Sequence, residues 1–113
     1  FETNWNSAGR PDLYDGDCES NNTPDYAVLF TAPNAGRYRI EATGSPDSVL
    51  TLANGACSAS NAAQIEPCND DVSEGNRGSR IDLGLTLGQV VTVYVSEFGN
   101  NNTGSGTLKI SEL

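Results

Sequence analysis

Apolar and polar residues alternate with a period of two along most of the chain. This pattern is typical of β-strands that bury one face, and it recurs in six segments. Their apolar positions are Tyr26, Val28 and Phe30; Tyr38, Ile40 and Ala42; Leu50 and Leu52; Ile81, Leu83, Leu85 and Leu87; Val91, Val93 and Val95; and Leu108 and Ile110. No segment of helical length has a 3.6-residue period, so we expect an all-β chain.

Short runs of turn-forming residues separate these segments. The run from residue 33 to residue 36 is Pro-Asn-Ala-Gly, and it predicts that the strands on either side form a hairpin. The Asn54-Gly55 pair ends the third strand, since both residues readily adopt positive φ. Residues 56–79 contain few large apolar side chains and are predicted to form a long loop.

The amino-terminal region, residues 1–24, forms a polar arm that begins with a further strand pattern. Phe1, Thr3 and Trp5 alternate with polar residues, and about twenty residues rich in Gly, Pro, Asn and Asp follow. We expect this arm to be docked, because free terminal arms are usually disordered unless they are tied down. A sheet with one apolar face must bury that face on a second sheet. The predicted fold is therefore an antiparallel β-sandwich, Ig-like or jelly-roll, of about seven strands, with the sandwich domain spanning residues 25–113.

Length, charge and composition exclude several classes of function. A chain of 113 residues has room for one core, and the absence of His removes the usual general base and the commonest zinc ligand. With 15 acidic against 6 basic residues and a net charge of −9, it should repel nucleic acid and anionic lipid. We expect no membrane span, and the lack of an initial Met is expected for a processed chain that is secreted or displayed on a bacterial surface.

The body of the chain resembles the pre-peptidase C-terminal domain, a β-sandwich module of secreted bacterial proteases and collagenases. The resemblance covers roughly residues 25–110 and rests on four pieces in order. These are Val28-Leu29-Phe30-Thr31-Ala32-Pro33 with Ala35-Gly36-Arg37-Tyr38, Asp47-Ser48-Val49-Leu50, Cys68-Asn69-Asp70-Asp71, and Ser79-Arg80-Ile81 leading to Leu87-Gly88-Gln89. It implies a non-catalytic accessory module, often stabilised by calcium, that binds substrate or aids secretion. The arm lacks the Glu-Pro-Asn-Asp opening common in that family.

Clustered oxygen ligands make Ca²⁺ the one candidate cofactor. The adjacent side chains of Asn69, Asp70 and Asp71 supply carboxylate and amide oxygens, and the resemblance adds Asp47 from a neighbouring strand. The alternative is that residues 69–71 form Asx-turns and pair with Arg77 or Arg80.

The three cysteines and two sequons are candidate modification sites. Cys57 and Cys68 lie in the same loop of an extracellular chain and are expected to form a disulfide, which leaves Cys18 unpaired. Reduced thiols and pairings that use Cys18 stay open. Asn21 and Asn101 stand in Asn-x-Thr sequons and are candidate glycosylation sites, with unmodified loop asparagines as the alternative.

Two functions fit these features, and neither is enzymatic. In the first, the chain is a fibre or pilus-like subunit, and its pilin-like strand with Phe1, Thr3 and Trp5 completes the sandwich of a neighbouring copy by donor-strand exchange. In the second, the strand folds onto its own sheet, and the chain is a calcium-stabilised accessory domain of a secreted protease or adhesin with a protein or glycan ligand. The long arm favours the homo-oligomer or helical polymer, because a strand that pairs within its own chain rarely needs so long a connection.

Overall fold

The computed structural model describes seven antiparallel strands. It describes residues 1–9, 25–44, 47–55, 78–97 and 103–113. The strands are β1 (Glu2–Asn6), β2 (Tyr26–Thr31), β3 (Gly36–Thr43), β4 (Ser48–Asn54), β5 (Ser79–Leu85), β6 (Val90–Glu97) and β7 (Ser105–Glu112). The described part of the chain contains no helix that could cross a membrane.

The strands form two sheets, which confirms the predicted all-β sandwich. The four-stranded sheet has the order β1-β7-β3-β5, and the three-stranded sheet has the order β2-β6-β4. Every described strand pairs antiparallel with its neighbours. Described strands that follow one another along the chain always belong to different sheets.

This topology makes the predicted hairpin between β2 and β3 wrong. β2 pairs with β6, whereas β3 pairs with β5 and β7. The turn before β3 instead carries the chain from one sheet to the other. Tyr38 holds it in place, because its hydroxyl donates to the Asn34 carbonyl at 2.7 Å and accepts from the Asn34 N–H at 3.2 Å. Alternation identifies the buried face of a strand but carries no information about its partner.

The core lies between the two sheets and contains most of the predicted apolar positions. Its buried members are Trp5, Ala32, Tyr38, Ile40, Ala42, Leu50, Leu52, Ile81, Leu83, Leu85, Val91, Val93, Val95, Leu108 and Ile110. Leu87 is the exception, because β5 ends at Leu85 and Leu87 is 71% exposed in the turn that follows. The N–H of Gln89 donates to the Thr86 carbonyl across that turn, and Gly88 adopts a φ of 78° there.

Strands β4 and β6 are buried on both faces, which the alternating pattern did not predict. Leu50 and Leu52 face the core, yet Val49 and Thr51 on the opposite face are also fully buried. On β6, Tyr94 is buried as deeply as the valines on either side of it. These two strands therefore have the burial of central strands, although β4 lies at the end of its sheet.

Candidate functional site

Strand β1 belongs to the sheet of its own chain. It pairs antiparallel with β7, so that Thr3 lies opposite Leu108 and Trp5 lies opposite Gly106. Trp5 is 1% exposed and forms part of the core. The strand expected to serve assembly through Phe1, Thr3 and Trp5 thus pairs within its own sandwich, and no contact of the described residues supports donor-strand exchange.

Gly106 allows β7 to pass close to the end of β3. A Cβ atom added at Gly106 would overlap the carbonyl oxygen of Thr43, so no other residue fits without a shift of the backbone. Gly44 adopts a φ of +97° at the same crossing. The pairing of Trp5 with Gly106 therefore lies beside a tight backbone contact that fixes the position of β7.

The edges of β1 and β2 face each other along one side of the sandwich, which we call the open side. The Phe1 and Phe30 rings lie 6.4 Å apart at one end of it, and Trp5 and Tyr26 line a common cleft at the other end. On the opposite side, the hydroxyls of Ser48 and Ser79 join the two sheets by a buried hydrogen bond of 3.0 Å. The open side is thus the place where strand edges and surface clefts coincide.

The first cleft on the open side, the Trp5 cleft, is neutral and polar. It has a volume of about 550 Å³, and its lining residues carry amide, hydroxyl and indole groups but no charge. They are Asn4, Trp5, Asn6, Tyr26, Ser105, Gly106 and Thr107. The indole Nε1–H of Trp5 is buried and has no hydrogen-bond partner among the described residues. An unpaired donor buried in this way costs stability, and because the protein covers the atom, a ligand in the cleft does not reach it without a rearrangement.

The second cleft, the Phe1 cleft, is aromatic with a charged rim. Phe30 packs against Tyr38 edge to face, with ring centroids 5.7 Å apart, and Phe1 is 60% exposed beside them. The cleft has a volume of about 380 Å³. Its charged lining residues are Glu2, Lys109 and Glu112. This cleft can bury an apolar or aromatic group and place a charge next to it.

An ion pair crosses the outer face of the four-stranded sheet. Arg39 and Asp82 lie opposite each other on β3 and β5, and the guanidinium Nε and Nη2 donate to the two carboxylate oxygens at 2.9 and 3.0 Å. These hydrogen bonds hold the pKa of Asp82 below its usual value and raise the pKa of Arg39. The nearby positive charges of Arg80 and Arg37 lower the pKa of Asp82 further.

Of the predicted calcium ligands, only Asp47 lies within the described residues. Its backbone N–H donates to Glu97 Oε1 at 2.6 Å, and the Glu97 side chain is 5% exposed. The sequence analysis did not single out Glu97, because a lone acid at the end of a strand gives no signal of burial. No group of three or more His, Cys, Asp or Glu that could hold a metal occurs in the described ranges.

Several predicted sites lie outside the described residues. They are Cys18, Cys57 and Cys68, the acidic run Asn69, Asp70 and Asp71, and the sequon asparagines Asn21 and Asn101. The disulfide, the calcium site and the glycosylation of these residues therefore stay predictions.

The sequence analysis predicted that β1 carries the function, but it did not predict the two clefts along this strand. Trp5 and Phe1 stood out as the only Trp and as the start of a strand pattern. The Trp5 cleft, however, combines residues from β1, β2 and β7, which are up to about a hundred positions apart. Only the pairing of the first strand with the last brings them together.

Comparison with known proteins identifies the fold. No protein-family model matches the sequence, and no curated protein matches it. Among solved structures, the pre-peptidase C-terminal domain of a collagenase from Bacillus anthracis superposes with a TM-score of 0.54 and 14% identity, over 98% of this chain and 88% of that one. A family 35 carbohydrate-binding module from Clostridium thermocellum matches with a TM-score of 0.49 and 17% identity, over 100% of this chain and 92% of that one. The chain therefore has the β-sandwich fold of a pre-peptidase C-terminal domain.

Proposed function

We propose that this chain is a non-catalytic extracellular accessory module that binds a macromolecule on behalf of a secreted bacterial protease or adhesin. The observation that carries the proposal is that β1 closes the sandwich within its own chain, with Trp5 in the core. A sandwich completed in this way needs no neighbouring copy, and this supports the accessory module over the fibre subunit. The collagenase domain of the same fold and the sequence resemblance both favour an accessory role.

The composition of the chain supports the same proposal. The chain has no His, so a Ser-His or Cys-His nucleophile pair cannot be assembled from it. Its net charge of −9 disfavours nucleic acid and anionic membranes as partners. The open side instead offers two clefts suited to an uncharged or mixed ligand.

The experiment is a co-sedimentation assay with insoluble extracellular polymers. The intact chain is incubated with fibrillar collagen, cellulose, chitin and peptidoglycan, and its mass in solution is measured by light scattering. We expect a monomer that sediments with at least one polymer, whereas an unrelated protein of similar acidity stays in the supernatant. A chain that forms polymers, or that sediments with none of these matrices, would refute the accessory role.

Calcium is a separate part of the proposal. We propose that Asp47 and residues 69–71 provide the ligands, and Glu97 places a second carboxylate beside Asp47. Bound Ca²⁺ would raise the melting temperature, because a ligand that binds only the folded state stabilises it. A melting temperature that is the same in millimolar calcium and in excess chelator would count against this site.

A further inference from the structure

Among the described residues, no strand pairs with the second edge of β1. The backbone of Phe1 exchanges two hydrogen bonds with Ile110, and the N–H of Ser7 donates to the Gly104 carbonyl. In an antiparallel ladder the residues that bond to the partner alternate with residues that point away from it. Glu2 and Asn4 therefore direct their backbone N–H and C=O groups away from β7, and β1 is the last of the described strands in its sheet. The Asn4 carbonyl accepts only a long hydrogen bond of 3.4 Å from the Thr3 hydroxyl.

Within strands β1 and β2 themselves, the edges on the open side carry few of the residues that protect edge strands. Edge strands usually carry charged residues, proline or a bulge that discourages pairing with other chains. Strand β5, at the far edge of the same sheet, carries Arg80 and Asp82. By contrast β1 has one charged residue, Glu2, and β2 has none, and neither strand contains proline. An added strand would therefore meet fewer charged side chains on β1 and β2 than on β5.

The two clefts lie at the two ends of this open edge. Phe1 belongs to one and Trp5 to the other, four residues further along the strand. In an extended chain four residues span about 13 Å, and side chains four positions apart point in the same direction. An extended segment paired with β1 could thus place one side chain in each cleft. This combination of a free backbone ladder and pockets for alternate side chains is how sheet edges recognise peptides.

We propose that the open side binds an extended segment of another protein, which adds as a strand to the free edge of β1. This inference rests on the proposed binding function and names its ligand class. An apolar or aromatic side chain of the segment enters the Phe1 cleft, and a polar side chain enters the Trp5 cleft, which is lined by amide and hydroxyl groups. A second copy of this chain is a poor occupant, because two chains of net charge −9 repel each other. Glu2 and Glu112 outnumber Lys109 on the rim of the Phe1 cleft, which favours a neutral or basic segment.

Two substitutions at one position test the role of the backbone edge. Asn4→Pro removes the N–H that points to the free edge and leaves the bonded positions of β1 unchanged, so the fold should tolerate it as edge strands tolerate proline. Asn4→Ala is the matched control, because it removes only the side chain and keeps the N–H. Far-UV circular dichroism and the fluorescence of Trp5, the only Trp, verify that both variants are folded.

The probe is a phage-displayed library of random peptides about twelve residues long, which exceed the length of β1 when extended. Enriched peptides are synthesised with a fluorescent label, and their affinities are measured by anisotropy. Asn4→Ala measures what the side chain contributes to the Trp5 cleft, and loss of one or two backbone hydrogen bonds should make Asn4→Pro bind about tenfold or more weakly than Asn4→Ala. Bound peptide should also slow amide hydrogen exchange at Glu2 and Asn4.

Other outcomes would overturn the proposal. It fails if the library yields no binder, if enriched peptides bind Asn4→Pro as tightly as the wild type, or if the amides of Glu2 and Asn4 gain no protection. It also fails if neutral oligosaccharides, and no peptides, shift the fluorescence of Trp5, which would assign the open side to glycans. If Asn4→Pro still sediments with an extracellular polymer, the accessory function stands and only its assignment to the β1 edge is lost.

Discussion

Replacing Trp5 by alanine tests whether β1 is part of the core of its own chain in solution. Trp5 is 1% exposed and packs in the core. Truncation of a buried tryptophan costs about 3–5 kcal/mol, whereas the whole domain is expected to be stable by about 5–15 kcal/mol. Trp5→Ala should therefore lose a large share of the stability. Asn4→Ala on the same strand is the matched control and should cost less than about 0.5 kcal/mol, because Asn4 is exposed.

The assay is urea denaturation followed by far-UV circular dichroism, since Trp5→Ala has no tryptophan to report on folding. The transition midpoint should be independent of protein concentration, because β1 pairs within the chain. A loss below about 1 kcal/mol for Trp5→Ala would mean that β1 is not part of the folded core. A midpoint that rises with protein concentration would mean that the strand is exchanged between chains and would restore the fibre model.

Three further substitutions test other parts of the structure. Gly106→Ala should destabilise the chain by about 1–3 kcal/mol in urea denaturation, because its Cβ would overlap the Thr43 carbonyl. The folded-state pKa of Asp82 is lowered by Arg39, so its contribution to stability is present above pH 4 or so and is lost as the pH falls through that lowered pKa. Asp82→Asn should therefore flatten the acid side of the stability profile, and an unchanged profile would contradict the ion pair. Leu87→Ser should change the melting temperature little, because Leu87 is exposed; a large loss would place it in the core.

The alternating pattern predicted most of the strands and the core because burial between two sheets selects every second residue. Ile40, Leu83 and Val93 face the core as their positions within the pattern required. Leu87 kept the period of β5 but lies beyond the end of the strand, where the turn at Gly88 turns the chain away from the sheet. Periodicity alone therefore overestimates the length of a strand when the turn that follows it contains an apolar residue in the same period.

Strand partners could not be predicted from the pattern. The turn before β3 has the composition of a hairpin loop, yet it joins the two sheets, because β2 satisfies its hydrogen bonds with β6. Turn residues show where the chain changes direction, and both a hairpin and a crossover need such a change. The buried outer face of β4, which includes Val49, was missed for a related reason, since burial on a second face depends on packing from elsewhere in the fold.

The Trp5 cleft depends on the most distant pairing in the fold. Its lining residues come from β1, β2 and β7, and β1 reaches β7 only when the first and last strands of the chain meet. Any substitution that detaches β1 therefore removes the cleft and part of the core together, so a loss of binding by Trp5→Ala would not distinguish a binding role from unfolding. Trp5→Phe retains an aromatic ring and removes the Nε1–H together with part of the indole ring. A folded Trp5→Phe variant with weakened peptide binding would show that the full indole ring shapes the binding cleft, whereas unchanged affinity would leave Trp5 a purely structural role.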